Sequence, residues 1–133
     1  MPHLVLLYTG NLDTETDMPG LCRRLADAML TVRDEAGSQV FPTGGVRVLA
    51  YPAAHWAVAD GQRDYAFLYL NLRMGRGRSD GVKRMAGERL SAAAREHLAP
   101  LFDQRLLGMT LQIDEGPEVF DAKHSTIHPL FRK

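Results

Sequence analysis

The chain has a single cysteine, no net charge and no long apolar run, and each shortage excludes a class of protein. Cys22 has no partner for an intramolecular disulfide, which fits a reducing cytoplasm. Sixteen basic and sixteen acidic residues cancel, so no overall field attracts nucleic acid or an anionic membrane. No apolar run approaches the ~18 residues of a membrane-spanning helix, and no signal-peptide pattern opens the sequence. We therefore expect one cytoplasmic domain, residues 1–133, that meets charged ligands through a local cluster.

Several motifs that bind metals or cofactors are missing as well. No metal-ligand spacing links the five histidines, which are His3, His55, His97, His124 and His128. The sequence has no Gly-x-Ser-x-Gly nucleophile elbow, no Gly-Lys-Ser/Thr ending of a phosphate-binding loop and no dinucleotide-binding glycine triplet. We expect neither a metal nor an organic cofactor.

Hydrophobic periodicity predicts a first β-α-β half. Residues 3–8 are nearly all apolar, as in a strand covered on both faces. Thr14-Glu15-Thr16-Asp17 offers caps for a helix with apolar residues at helical spacing up to Val32, and Gly37 is expected to end that helix. Residues 46–58 then form an extended segment that Pro52 interrupts.

The second half repeats this order. Residues 65–72 form the clearest strand, and a long amphipathic helix follows, which Pro100 is expected to bend or shorten. Residues 106–113 form a fourth strand. The predicted fold is an α/β (α+β) subunit of order β-α-β-β-α-β, in which right-handed crossovers place both helices on one face of a four-stranded sheet. The bare opposite face, and an apolar tail with Phe120, Ile127, Leu130 and Phe131, favour oligomerisation.

Pro2 stands directly before the first strand. Aminopeptidases remove Met1 when the next residue is small, which would leave a secondary amine fixed to a buried strand. A free α-amino group titrates near pH ~8, and burial and nearby arginines lower that value. Such an amine is a candidate general base at neutral pH. A proline at position 2 is also common in proteins where it has no such role.

Two glycine-rich segments present arginines. Gly75-Arg76-Gly77-Arg78-Ser79 joins a strand to a helix N-terminus, where backbone N–H groups and the helix dipole favour anions. Arg47 follows Gly44-Gly45 at the start of an extended segment. Taken alone, the first segment is equally compatible with a flexible turn whose arginines are solvated, and the second is weak evidence for a site.

Together these segments resemble the 5-carboxymethyl-2-hydroxymuconate delta-isomerase family of the tautomerase superfamily. The resemblance runs from Met1-Pro2-His3 to His128-Pro129-Leu130-Phe131 and is most specific between Ala59 and Ser79. It rests on Pro2, Phe41-Pro42, Gly45-Val46-Arg47, Ala59-Asp60-Gly61-Gln62, Asp64-Tyr65-Ala66-Phe67 and Gly75-x-Gly77-Arg78-Ser79.

The resemblance implies a homotrimeric enzyme of aromatic-compound catabolism without a cofactor. By position, Pro2 would be the catalytic base, and Arg47 and Arg78 would bind the carboxylates of an unsaturated dicarboxylate or tricarboxylate. A second family arginine often follows two residues after the position of Arg47, but Leu49 stands there, so the resemblance leaves open how one carboxylate is bound and which acid is the substrate.

Chemical reasoning agrees with that assignment. A 2-hydroxymuconate-type acid becomes a 2-oxo-3-ene when a proton moves from its enol oxygen to a remote carbon, which needs one base and cations for the dienolate. Two alternatives stay open: a trimeric binding protein without turnover on the same scaffold, and a superfamily enzyme for another unsaturated acid.

Overall fold

The structure is a computed structural model that describes residues 2–131. Four strands form one sheet: β1 (His3–Thr9), β2 (Val48–Ala53), β3 (Tyr65–Gly75) and β4 (Leu106–Gly116). Two helices, α1 (Met18–Leu30) and α2 (Asp80–Gln104), complete the β-α-β-β-α-β order. The strand order is β2-β1-β3-β4, with β1 antiparallel to β3 and the outer pairs parallel. The predicted fold class is confirmed.

The core lies between the helices and one face of the sheet. Alternate residues of β1, Leu4, Leu6 and Tyr8, are buried there, as are Leu68 and Leu70 of β3. Buried residues of α1 and α2 join the same cluster, so both helices cover the same sheet face. The other face carries exposed apolar side chains: Leu7 is 49% exposed, Leu49 46% and Tyr51 50%.

Local signals place the helix starts correctly but not the first helix end. Asp17 caps α1 by accepting a hydrogen bond from Gly20 N at 3.0 Å. The helix ends at Leu30, well before Gly37, so that prediction was wrong. Val32 fits the helical spacing because it is fully buried, but it begins a small hairpin in which Val40 N donates to Val32 O at 3.1 Å.

Pro52 and Pro100 disturb the strand and the helix that contain them less than expected. β2 runs through Pro52 and ends at Ala53, because an edge strand can spare the missing N–H. α2 continues past Pro100 to Gln104, so its last turn is not shortened. Pro100 and Glu96 are both exposed, so water can hydrate the Glu96 carbonyl, which has no N–H donor at Pro100.

Neither helix within residues 2–131 is long and apolar enough to cross a membrane.

Candidate active site

Sheet topology brings two of the three predicted site residues, Pro2 and Arg47, to one edge of the sheet. His3 of β1 lies opposite Arg73 near the end of β3. Arg47 stands just before β2, and its carbonyl accepts a hydrogen bond from Leu4 N at 3.1 Å. Because β1 runs antiparallel to β3 and parallel to β2, the starts of β1 and β2 meet the end of β3.

Pro2 lies at this edge immediately before β1 and is buried. The residues that follow Pro2 form β1, an interior strand that pairs with β2 on one side and β3 on the other. The ring nitrogen of Pro2 is therefore held by a rigid element. In a chain that keeps Met1 this nitrogen is an amide and has no basic lone pair.

Arg47 is positioned by a single 3₁₀ turn, Thr43–Gly45, and by the tail. A side chain at Gly44 would place its Cβ 2.5 Å from the Cα of His128, so only glycine lets the tail pack against this turn. Arg47 is half-buried and lines two cavities, of about 350 and about 670 Å³. The packed tail thus supports the segment that presents this arginine.

Arg78 is fixed by two contacts in the connection between β3 and α2. Its Nη1 donates to the carbonyl of Gly75 at 3.2 Å, and its guanidinium carbon lies 5.3 Å from the ring centroid of Phe41. Phe41 is fully buried just before the turn that leads to Arg47. Arg78 forms no ion pair with any residue between 2 and 131. Neighbouring Arg76 is exposed.

The smaller cavity contains residues that sequence reasoning missed. It is lined by His3, Arg47, Arg73, Met74, Glu118, Asp121, Lys123, His124 and Ser125. Neither Pro2 nor Arg78 lines it. Arg73 could have been noticed as the first charged residue after the mostly apolar run 65–72 of β3. The packing of the tail over this edge has no periodic signal in the sequence.

The electrostatics of the edge favour the neutral form of His3. Partial burial lowers the pKa of its ring below the usual value, and the positive charges of Arg47 and Arg73 lower that pKa further. A neutral imidazole between two arginines can still donate or accept one hydrogen bond.

Two further expectations concern Leu49 and metal binding. Leu49 is on the open sheet face, opposite Val5 of β1, and alternation puts it on the same face as Arg47. No group of three or more His, Cys, Asp or Glu side chains within residues 2–131 is arranged to hold a metal ion.

Comparison with known proteins identifies the family. The model of the family "5-carboxymethyl-2-hydroxymuconate isomerase" matches residues 2–131. A 5-carboxymethyl-2-hydroxymuconate Delta-isomerase of Escherichia coli is 33% identical over 132 residues, which cover 99% of this chain and 100% of the relative.

Solved structures agree with that match. A 5-carboxymethyl-2-hydroxymuconate delta-isomerase has 62% identity and a TM-score of 0.96, over 100% of this chain and 94% of the other. A 5-carboxymethyl-2-hydroxymuconate isomerase from Deinococcus radiodurans R1 has 38% identity and a TM-score of 0.88, over 99% and 95%. A fused 4-OT described as an asymmetric trimer shares the fold, with 18% identity and a TM-score of 0.57 over 98% and 99%. The chain therefore belongs to the 5-carboxymethyl-2-hydroxymuconate isomerase family and is an isomerase with the tautomerase fold.

Proposed function

We propose that the chain, once Met1 is removed, moves a proton within a 2-hydroxymuconate-type unsaturated acid, with Pro2 as general base. The observation that carries this proposal is the placement of a buried Pro2 at the sheet edge where Arg47 lies. Family membership and the substrate in the relatives' names support it.

The proposed reaction needs only one base that both takes and returns a proton. The neutral nitrogen of Pro2 removes the proton of the enol O–H, and the electrons shift through the diene to form a dienolate. The protonated amine then delivers the same proton to the remote carbon, giving the 2-oxo-3-ene. Burial of Pro2 and the charge of Arg47 both favour the neutral amine at the start of the cycle.

Arg47 and Arg78 are proposed to bind the carboxylates. Guanidinium groups stay charged at any relevant pH and match carboxylates in a bidentate manner. Arg78 is held on Phe41 at 5.3 Å, so part of the ordering cost of binding is met before substrate arrives. Their charge also stabilises the dienolate as it forms. The chemistry requires no metal and no organic cofactor.

A homotrimer in the cytoplasm is the proposed working form. The exposed apolar side chains Leu7, Leu49 and Tyr51 cluster on the sheet face that the helices leave open, and the tail exposes Phe120 by 86%. Fused 4-OT structures with this fold are described as trimers. Since 2-hydroxymuconates form when aromatic rings are opened, aromatic-compound catabolism is the proposed setting.

The test is the ketonisation of 2-hydroxymuconate and of its 5-carboxymethyl derivative by the chain without Met1, followed by ultraviolet absorbance. We expect turnover of at least one acid. Pro2→Ala, which leaves a primary amine, should retain part of the activity. If the Met1-free chain is folded and oligomeric but converts neither acid, this function is wrong.

A further inference from the structure

We propose that Glu35 is a positioning residue that holds Arg78 ready for a substrate carboxylate and acts through Ser79. The inference rests on the proposed function, in which Arg78 binds that carboxylate, and deepens it by naming what fixes this arginine. It starts from the hydrogen bond between the Ser79 hydroxyl and the Glu35 carboxylate, which joins two segments 44 residues apart in the chain.

The backbone around Arg78 is not fixed by regular structure. Only residues 76–79 separate the end of β3 at Gly75 from the start of α2 at Asp80. Within this connection Gly77 has a φ of +113°, a conformation that glycine adopts readily and other residues avoid. Contacts from elsewhere in the fold therefore have to set the direction of Arg78.

Ser79, the next residue after Arg78, is anchored from two sides. Its hydroxyl caps α2 by accepting a hydrogen bond from Val82 N at 3.2 Å, and its carbonyl accepts one from Lys83 N at 3.1 Å. The same hydroxyl donates to Oε1 of Glu35 at 2.5 Å. A hydrogen bond to a carboxylate is stronger than one between neutral groups, and this bond lowers the pKa of Glu35 below its usual value.

Glu35 is presented by a well-ordered turn. The turn Asp34–Gly37 closes the hairpin 32–40, and Gly37 N donates to Asp34 O at 2.9 Å. The Asp34 side chain accepts two further backbone hydrogen bonds from the residues that follow, each at 2.9 Å. Because the backbone is hydrogen-bonded on both sides of Glu35, its carboxylate reaches Ser79 from a fixed point.

The same hairpin leads directly to the support for the other end of the arginine. Phe41 follows the hairpin, is fully buried, and has its ring centroid 5.3 Å from the guanidinium carbon of Arg78. Glu35 thus acts next to the backbone of Arg78, and Phe41 contacts its charged group. One segment of the chain fixes both ends of the side chain.

Glu35 supports Arg78 without pairing with it. Within residues 2–131, neither Glu35 nor Arg78 forms an ion pair. Asp80, the acidic residue in the first turn of α2, is paired with Lys83 at 3.1 Å. The guanidinium of Arg78 therefore stays available for a substrate carboxylate.

The test compares Glu35→Ala with Glu35→Gln, because both variants lose the charge and only Glu35→Gln keeps an oxygen that can accept the Ser79 hydrogen bond. We expect kcat/KM on the preferred hydroxymuconate to be lower in Glu35→Ala than in Glu35→Gln by about threefold or more. Glu88→Ala, an equal loss of charge at an exposed position of α2, should behave as wild type. Equal kcat/KM values in the two Glu35 variants overturn the proposal.

A second comparison asks whether the effect passes through the arginine. In an Arg78→Ala background, Glu35→Ala and Glu35→Gln should have the same kcat/KM, because the guanidinium that Glu35 positions is absent. A difference that persists in this background overturns the proposal.

The order of the side chain separates this inference from the proposed function. The Nε–H signal of Arg78, assigned by its loss in Arg78→Lys, reports that order through its heteronuclear NOE. We expect a lower NOE in Glu35→Ala than in Glu35→Gln. If the wild-type protein converts neither hydroxymuconate but shows this difference, the proposed function fails while the positioning of Arg78 by Glu35 stands. Equal NOE values in the two variants overturn the role of Glu35 whatever the activity.

Discussion

Arg78→Ala tests the proposed carboxylate site with little disturbance of the fold. The substitution removes one hydrogen bond to Gly75 O and the stacking on Phe41. A cation–π contact at a partly exposed position is worth about 0.5–1 kcal/mol, which is small beside the 5–15 kcal/mol that is typical of domain stability. Circular dichroism should therefore be unchanged, and the unfolding temperature should fall by only a few degrees.

The loss in catalysis should be much larger. Removing a charge-assisted bidentate pair costs about 2–4 kcal/mol, or ~30- to 1000-fold in transition-state stabilisation. We expect kcat/KM on the preferred hydroxymuconate to fall at least 30-fold. Steady-state ultraviolet assays measure this, with Arg76→Ala as the control because Arg76 is exposed and carries the same charge.

One result would refute the assignment. If Arg76→Ala abolishes turnover while Arg78→Ala behaves as wild type, the register that places Arg78 at the carboxylate site is wrong.

Three further outcomes are expected. Arg47→Ala should raise KM more than it lowers kcat, and steady-state kinetics that show the opposite would contradict its binding role. Light scattering at micromolar concentration should give three times the 14.8 kDa chain mass, and deletion after Pro117 should weaken the trimer; a 14.8 kDa species would contradict it. Tyr8→Phe should lose stability less steeply than wild type as the pH rises above ~10. Burial and the hydrogen bond to Asp13 raise the pKa of Tyr8 in the folded state, so the stability from its neutral form is lost on the alkaline side. If the unfolding temperatures of wild type and Tyr8→Phe fall by the same amount between pH 9 and pH 11, this account is excluded.

Local patterns were sufficient to predict the fold. The apolar run of residues 3–8 marks β1 as a strand but does not show that Leu4 and Leu6 face the core while Leu7 is exposed. Asp17 and Ser79 cap the two helices close to where the sequence places their starts. The end of α1 was misplaced because Val32 is buried by tertiary packing just beyond the helix, which imitates helical periodicity.

The site was only partly predictable for a different reason. Arg47 and Arg78 stand out locally because each follows a glycine pattern. The position of Arg73 beside His3 depends on pairing between strands distant in sequence, which no local signal specifies. The packing of the tail against Gly44 is likewise a non-local contact.

The most direct test of the central claim follows activity as Met1 is removed. A preparation that retains Met1 is treated with methionine aminopeptidase, and samples are taken for intact mass and for ketonisation of a 2-hydroxymuconate-type acid. If Pro2 is the general base, activity begins near zero and rises in proportion to the fraction of chains that have lost the mass of methionine. Full activity in chains that demonstrably keep Met1 would contradict the assignment, because their Pro2 nitrogen is an amide and cannot accept the proton.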